Sequence, residues 1–127
     1  MPPATDPALD ALFLPFREQQ LAWPQAPALF LRARAGGALA GVASQTIACE
    51  QSFKPHADAL RAAGFEVTAD ATAGQFPLVL VLLPRQREEA RALLARAVLQ
   101  TATGGRVVAA QANTEGARSS ESDLAAL

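Results

Sequence analysis

Along the chain, apolar residues gather into a few runs whose spacing separates strands from helices. Residues 8–14 (ALDALFL) suit a short helix, with Asp6 as a possible N-cap and Pro7 at its first position. Pro15 is expected to end it. Residues 16–27 are polar, hold Pro24 and Pro27, and read as connection. Residues 28–34 (ALFLRAR) are apolar on both faces for four positions and stop before Gly36-Gly37, which predicts a strand. Residues 43–50 (ASQTIACE) show no helix stripe and predict a second strand. Pro55 opens a helix over 55–63, and Gly64 is a natural residue for its end. Residues 65–68 alternate as a short strand.

The strongest signal is residues 76–83, where PLVLVLL runs unbroken between Pro77 and Pro84. An aliphatic run of this kind is buried on both faces, as in the middle of a parallel sheet. Residues 86–100 (QREEARALLARAVLQ) form a helix with Ala90, Leu93, Leu94, Ala97 and Val98 on one stripe. Arg85, Arg87, Glu88, Glu89, Arg91 and Arg96 are expected to point outward. Gly104-Gly105 is expected to close this unit, followed by a strand over 106–112, a polar turn over 113–116 and a last helix from about Arg118. This order predicts an α/β domain of three layers. Its sheet is mainly parallel, of about five strands, with helices on both faces.

The length of 127 residues suits one domain, with residues 1–7 as a flexible lead-in. Half the residues are hydrophobic, but 30 are alanine, tyrosine is absent and aromatics make up 6%. The core must therefore rest on Leu, Val and Phe, with Ala letting elements approach closely. The net charge of −1 lacks the positive excess of a strongly basic nucleic-acid module and leaves only local contact open. No apolar run is long enough for a membrane span, and the N-terminus has no basic stretch of a signal peptide. A cytoplasmic domain without membrane contact is expected.

Catalytic sets are sparse. Cys49 and His56 are the sole cysteine and histidine. A Cys–His nucleophile needs hydrogen-bond reach and a third orienting group. The plainer reading is a buried strand cysteine and a surface histidine. One His and one Cys cannot make a metal site with Glu88 and Glu89, which sit among arginines on a helix face. Gly36 to Gly41 has the glycine spacing of a P-loop, but Val42-Ala43 stands where lysine and a hydroxyl are required. No glycine-rich cofactor loop follows any strand. The loops at the strand carboxyl ends are richer, because open α/β sheets bind ligands there. They offer Arg85 after the aliphatic run, and Asn113, Glu115, Gly116, Arg118 and Ser119 after the last strand. Arg85, Asn113, Glu115 and Arg118 suit an anion or ribose-phosphate contact; the plainer reading is turn chemistry at Asn113 and Gly116 and helix capping by Ser119 or Ser120.

From Pro77 onward, the aliphatic strand ending in Pro84-Arg85, the helix, and the strand entering Asn113-Thr-Glu-Gly116-Ala-Arg118-Ser119 form one pattern. It resembles the N-terminal domain of the ribosomal RNA small subunit methyltransferase C family, class I S-adenosylmethionine-dependent enzymes. The match covers roughly the last 50 residues well. Residues 28–68 agree in element order and rough spacing only. The resemblance implies a degenerate Rossmann-like methyltransferase domain without a cofactor loop. It implies a second, C-terminal domain that binds S-adenosylmethionine, carries an Asn-Pro-Pro-Phe/Tyr motif and methylates guanine N2 in 16S rRNA. This chain has neither motif, so no catalytic, cofactor or metal residue is assigned to it, and it is expected to be inactive alone. Arg85, Asn113, Gly116, Arg118 and Ser119 are the candidate RNA or interdomain contacts. The expected partners are the C-terminal catalytic domain and small-subunit rRNA. The alternative is a stand-alone α/β interaction domain, such as a homodimer, since the apolar end Leu124-Ala-Ala-Leu127 wants a partner.

Overall fold

The computed structural model describes residues 6–70 and 72–111. The chain forms helix α1 (Pro7–Arg17), strand β1 (Ala28–Leu31), strand β2 (Ile47–Glu50), helix α2 (Lys54–Ala62) and strand β3 (Val67–Thr68). Strand β4 (Phe76–Leu82), helix α3 (Arg87–Leu99) and strand β5 (Thr101–Ala110) complete it. The strands make one sheet in the order β3-β2-β1-β4-β5, and every pairing is parallel. This is the expected Rossmann-like α/β architecture.

Side-chain alternation in β1 and β4 builds the layers. Ala28, Phe30, Leu78, Leu80 and Leu82 point to one face, where Leu9, Leu12 and Phe13 of α1 and Leu60 of α2 cover them. Leu29, Leu31, Val79 and Val81 point to the other, under Ala90, Leu94 and Ala97 of α3. All four residues of β1 are fully buried. Each such leucine or phenylalanine contributes about 1.5–3 kcal/mol relative to exposure, which explains why this run carried no period of its own.

Local chemistry sets the helix ends. The Asp6 carboxylate accepts the Leu9 N–H at 3.2 Å, and Pro7 starts α1 as expected. Gln86 does the same for α3, its Oε1 accepting the Glu89 N–H at 2.6 Å. At the end of α2, Gly64 takes φ +95°. Its N–H reaches the Arg61 carbonyl at 2.9 Å, and the Phe65 N–H reaches Leu60 at 3.1 Å. That paired closure needs a left-handed residue, which glycine supplies.

Several expectations are corrected. Pro15 does not end α1, which runs on to Arg17. The carbonyl that loses its donor belongs to Ala11, an exposed residue on the solvent side of the helix. Phe16 and Phe13 lock the last turn onto Trp23, with ring centroids 5.2 Å and 6.2 Å away. The second strand begins only at Ile47, after a tight 3-10 turn over Ser44–Thr46. On α3, Val98 is 41% exposed and leaves the stripe. Gly104-Gly105 does not close the helical unit; both lie inside β5. There β5 spends Thr101 to Arg106 where β4 spends Phe76 to Leu78, an enlarged bulge placed opposite Pro77, which has no N–H to lose. The expected last helix lies outside the described residues.

The bulge gives a test. A Cβ at Gly105 would stand 2.7 Å from the Pro77 carbonyl oxygen and 2.9 Å from that of Ala102. Gly105→Ala is expected to lower stability by about 1–3 kcal/mol, read as a lower urea midpoint. An unchanged midpoint would show that the two strands are not held this closely.

Candidate functional site

The chain leaves β1 toward β2 and β3 on one side and returns to β4 and β5 on the other. The carboxyl ends of β1 and β4 therefore form a switch point, the place where open α/β sheets take ligands. Arg32 stands there, directly after β1, with φ +54°. Its Nη1 donates to the Leu82 carbonyl at 2.9 Å, tying the two strand ends together. Burial and the neighbouring Arg34 guanidinium push Arg32 below the ordinary arginine value, while Glu89 pulls the other way. Arg34 donates to the Asp6 carboxylate at 3.1 Å, the same oxygen that caps α1.

Beside these arginines lies a cavity of about 400 Å³, within the usual range for small-molecule sites of about 300–1,000 Å³. Arg32, Arg34, Ser52, Phe53, His56 and Glu89 line it, with Glu50 and Gln51 at the strand end. Gln51 is buried and spent on structure. Its Nε2 donates to the Ala33 carbonyl at 2.7 Å and its Oε1 accepts the Phe53 N–H at 2.9 Å.

Glu50 ends β2, the position at which dinucleotide-binding sheets offer a carboxylate to ribose hydroxyls. Here the carboxylate is already taken. Arg96 of α3 grips it with both guanidinium nitrogens, one contact measuring 2.6 Å. The Thr72 N–H donates to it at 2.7 Å. The Glu50 side chain is 13% exposed and that of Arg96 28%, so water screens the pair weakly. Burial works to raise the Glu50 carboxyl, but the hydrogen bonds from Arg96 and Thr72 and the guanidinium charge outweigh it and hold it below its ordinary value.

These residues do not fit S-adenosylmethionine. The connection after β1 opens with Arg32-Ala33-Arg34-Ala35 before Gly36-Gly37 are reached, and the one acidic side chain at the end of β2 already accepts three hydrogen bonds. The cysteine reading fares no better. Cys49 is 1% exposed inside the α1–α2 face, and burial pushes its thiol up to about 12. His56 packs edge-on against Phe53 at 5.1 Å instead. Among the described residues no group of three or more His, Cys, Asp or Glu is placed to hold a metal.

Of the sequence candidates, Arg85 is exposed in the turn between buried Pro84 and Gln86 and does not line the cavity. Asn113, Glu115, Gly116, Arg118 and Ser119 lie outside the described residues. Arg96 is corrected: it does not point outward but reaches across to Glu50. The cavity residues Arg32, Arg34 and Phe53 were not singled out in the sequence. Their signal was local: two arginines where a phosphate-binding loop would hold glycines, and an aromatic where α2 should have had a polar cap.

No family model and no curated protein sequence matches the chain. A solved structure does. The chain is similar in fold to RsmC, the T. thermophilus 16S rRNA N2 G1207 methyltransferase, in a structure described as a complex with AdoMet and guanosine. The TM-score is 0.74 and the identity 22%, over 96% of this chain and 33% of RsmC. At that identity the likeness is one of fold, and the chain spans about a third of RsmC's length. RsmC belongs to the family that the sequence resembles. Among the described residues no helix is long and apolar enough to cross a membrane.

The Glu50–Arg96 pair predicts a pH dependence. Glu50 has a folded pKa below its ordinary 4.5, so its stabilisation is full above that value and is lost as pH falls through the folded pKa. Glu50→Gln is expected to cost about 2–3 kcal/mol at pH 7 and to flatten the fall in stability below about pH 4.5. Denaturant titrations of both proteins from neutral to acid pH would check this. Parallel curves would mean the pair contributes nothing.

Proposed function

We propose that this chain is the non-catalytic N-terminal domain of an S-adenosylmethionine-dependent 16S rRNA guanine-N2 methyltransferase. It supports a C-terminal catalytic domain and helps position rRNA. The observation that carries this reading is the spent crevice. In a fold like that of RsmC, the carboxylate at the end of β2 is taken by Arg96, and two arginines open the connection after β1. A domain that keeps the architecture without the cofactor set is suited to holding a neighbour and a substrate in place. The cofactor would be bound by the second domain, as would the reacting guanine. An enzyme acting on small-subunit rRNA works in the cytoplasm.

The near-neutral charge does not oppose rRNA contact. Ten of the eleven basic residues are arginines, whose planar guanidinium forks suit phosphate and base edges. A supporting domain needs two or three such contacts, not a basic field.

Two titrations test the proposal. The chain is expected to show no saturable binding of S-adenosylmethionine by calorimetry. It is expected to bind a small-subunit rRNA fragment with a log–log salt slope of about −1.5 to −2, the value for two or three phosphates on a single strand. Tight cofactor binding would overturn the non-catalytic assignment. Salt-independent binding, or none even with the catalytic domain attached, would remove the rRNA role.

A further inference from the structure

Gln19, in the turn after α1, and Arg32 both hold a left-handed backbone; of the residues that break local rules, Arg32 and Phe53 face one cavity. Phe53 occupies the N-cap of α2, where Ser, Thr, Asn or Asp would accept a backbone N–H, and it makes no side-chain cap. The residue is instead 58% exposed, and its ring meets the His56 imidazole edge-on at 5.1 Å. Arg32 holds a left-handed backbone at φ +54°, which a non-glycine residue adopts at a cost. Departures from local preference that converge on one site are characteristic of function rather than of packing.

The chemistry of the lining narrows the ligand. Arg34 is met by Asp6 at 3.1 Å, Arg96 by Glu50, and Arg32 senses the charge of Glu89. The cavity is thus balanced in charge, which suits a neutral polar group better than a polyphosphate. It offers both donors and acceptors: the Arg32 guanidinium, the Ser52 hydroxyl and the Glu89 carboxylate. Arg34 Nε is buried without a hydrogen-bond partner among the described residues. An aromatic wall beside a mixed donor and acceptor floor matches a nucleobase, with one face to stack and one edge to read. Elsewhere on α2, on the flank turned away from His56, Lys54 and Arg61 share the single carboxylate of Asp58 at 2.7 Å and 3.4 Å. That leaves one positive charge in excess on the helix whose first turn carries His56, for the phosphates on either side of a bound nucleotide to meet.

We propose that this cavity holds one unpaired nucleotide of an RNA strand, its base against Phe53 and His56 and its edge on Arg32, Ser52 and Glu89. The proposal rests on the RNA-contacting part of the function above and gives it a place. A free nucleotide has the same base chemistry but lacks the neighbouring phosphates that Lys54 and Arg61 would meet. A strand is therefore held more tightly than a monomer.

The test uses the 127-residue chain, a fluorescein-labelled single-stranded RNA octamer, and guanosine and adenosine monophosphates as competitors. Phe53→Ser removes the stacking surface while restoring a capping hydroxyl. It is expected to leave the melting temperature unchanged or raised, yet weaken octamer binding by about tenfold or more. Phe53→Trp is expected to retain binding. A packing role for Phe53 would give the reverse, with lower stability and unaltered affinity. Octamer binding by Phe53→Ser equal to that of the parent overturns the cavity assignment and leaves RNA contact elsewhere standing. Failure of the parent chain to bind any RNA overturns the RNA reading and this site with it. A monophosphate bound as tightly as the octamer replaces the strand with a free nucleotide and overturns the proposal.

Discussion

The parallel pairing of β1 with β4 is the constraint from which the rest of the molecule follows. Phe30 stands opposite Leu80, and Leu29 and Leu31 opposite Val79 and Val81, with every one of these side chains removed from water. Two strands sealed on both faces and paired along both edges meet solvent only at their ends. Polar chemistry is thereby driven to the residues that follow them, and Arg32 is the first polar side chain beyond β1. Its bond to the Leu82 carbonyl both closes the seam and presents the guanidinium to the cavity. Packing and the lining of the cavity are set by the same few positions because the sheet leaves no other exit.

The carboxylate of Glu50 is a junction for three separate parts of the chain. Arg96 comes from α3, 46 residues along the chain, and the Thr72 N–H from the connection between β3 and β4. Gln100 adds a further tie, its Nε2 donating to the Thr72 carbonyl at 2.7 Å. A side chain that would face a ligand instead fastens a helix and a loop to the end of β2. Breaking a weakly screened pair of this kind leaves an uncompensated charge, which makes the arrangement hard to reverse by single substitutions. The adjoining cavity, lined by arginines and an aromatic, remains accessible to a different class of guest.

Much of this was legible in the sequence. Burial period and punctuation marked out β1, β4, α2 and α3, because a two-sided aliphatic run and a helical stripe depend only on neighbours in the chain. Asp6, Pro7 and Gly64 were readable for the same reason, since caps are local chemistry. Pro15 and Gly104-Gly105 misled because tertiary contacts overrode their usual punctuation: the Phe13–Phe16–Trp23 cluster carries α1 past the proline, and the glycines serve a bulge facing Pro77. The site was the least legible part. Arg96 looks like any other charge on a helix surface, and nothing in its spacing points to Glu50. Phe53 is a single residue between a strand and a helix, too short a stretch for any period to form. The family resemblance was carried by Pro84-Arg85 and the segment after β5, whereas the cavity is built from residues after β1 and β2.

Cys49 has a practical consequence. With its thiol pushed up to about 12 by burial, the reactive thiolate is on the order of one molecule in 100,000 at neutral pH. The folded chain therefore behaves toward alkylating and oxidising reagents as though it had no cysteine. A cysteine introduced at any exposed position would react alone, so a dye or spin label can be placed on the native background. The rate at which Cys49 itself becomes modified would report on opening of the α1–α2 face, making the one native thiol a clock for unfolding.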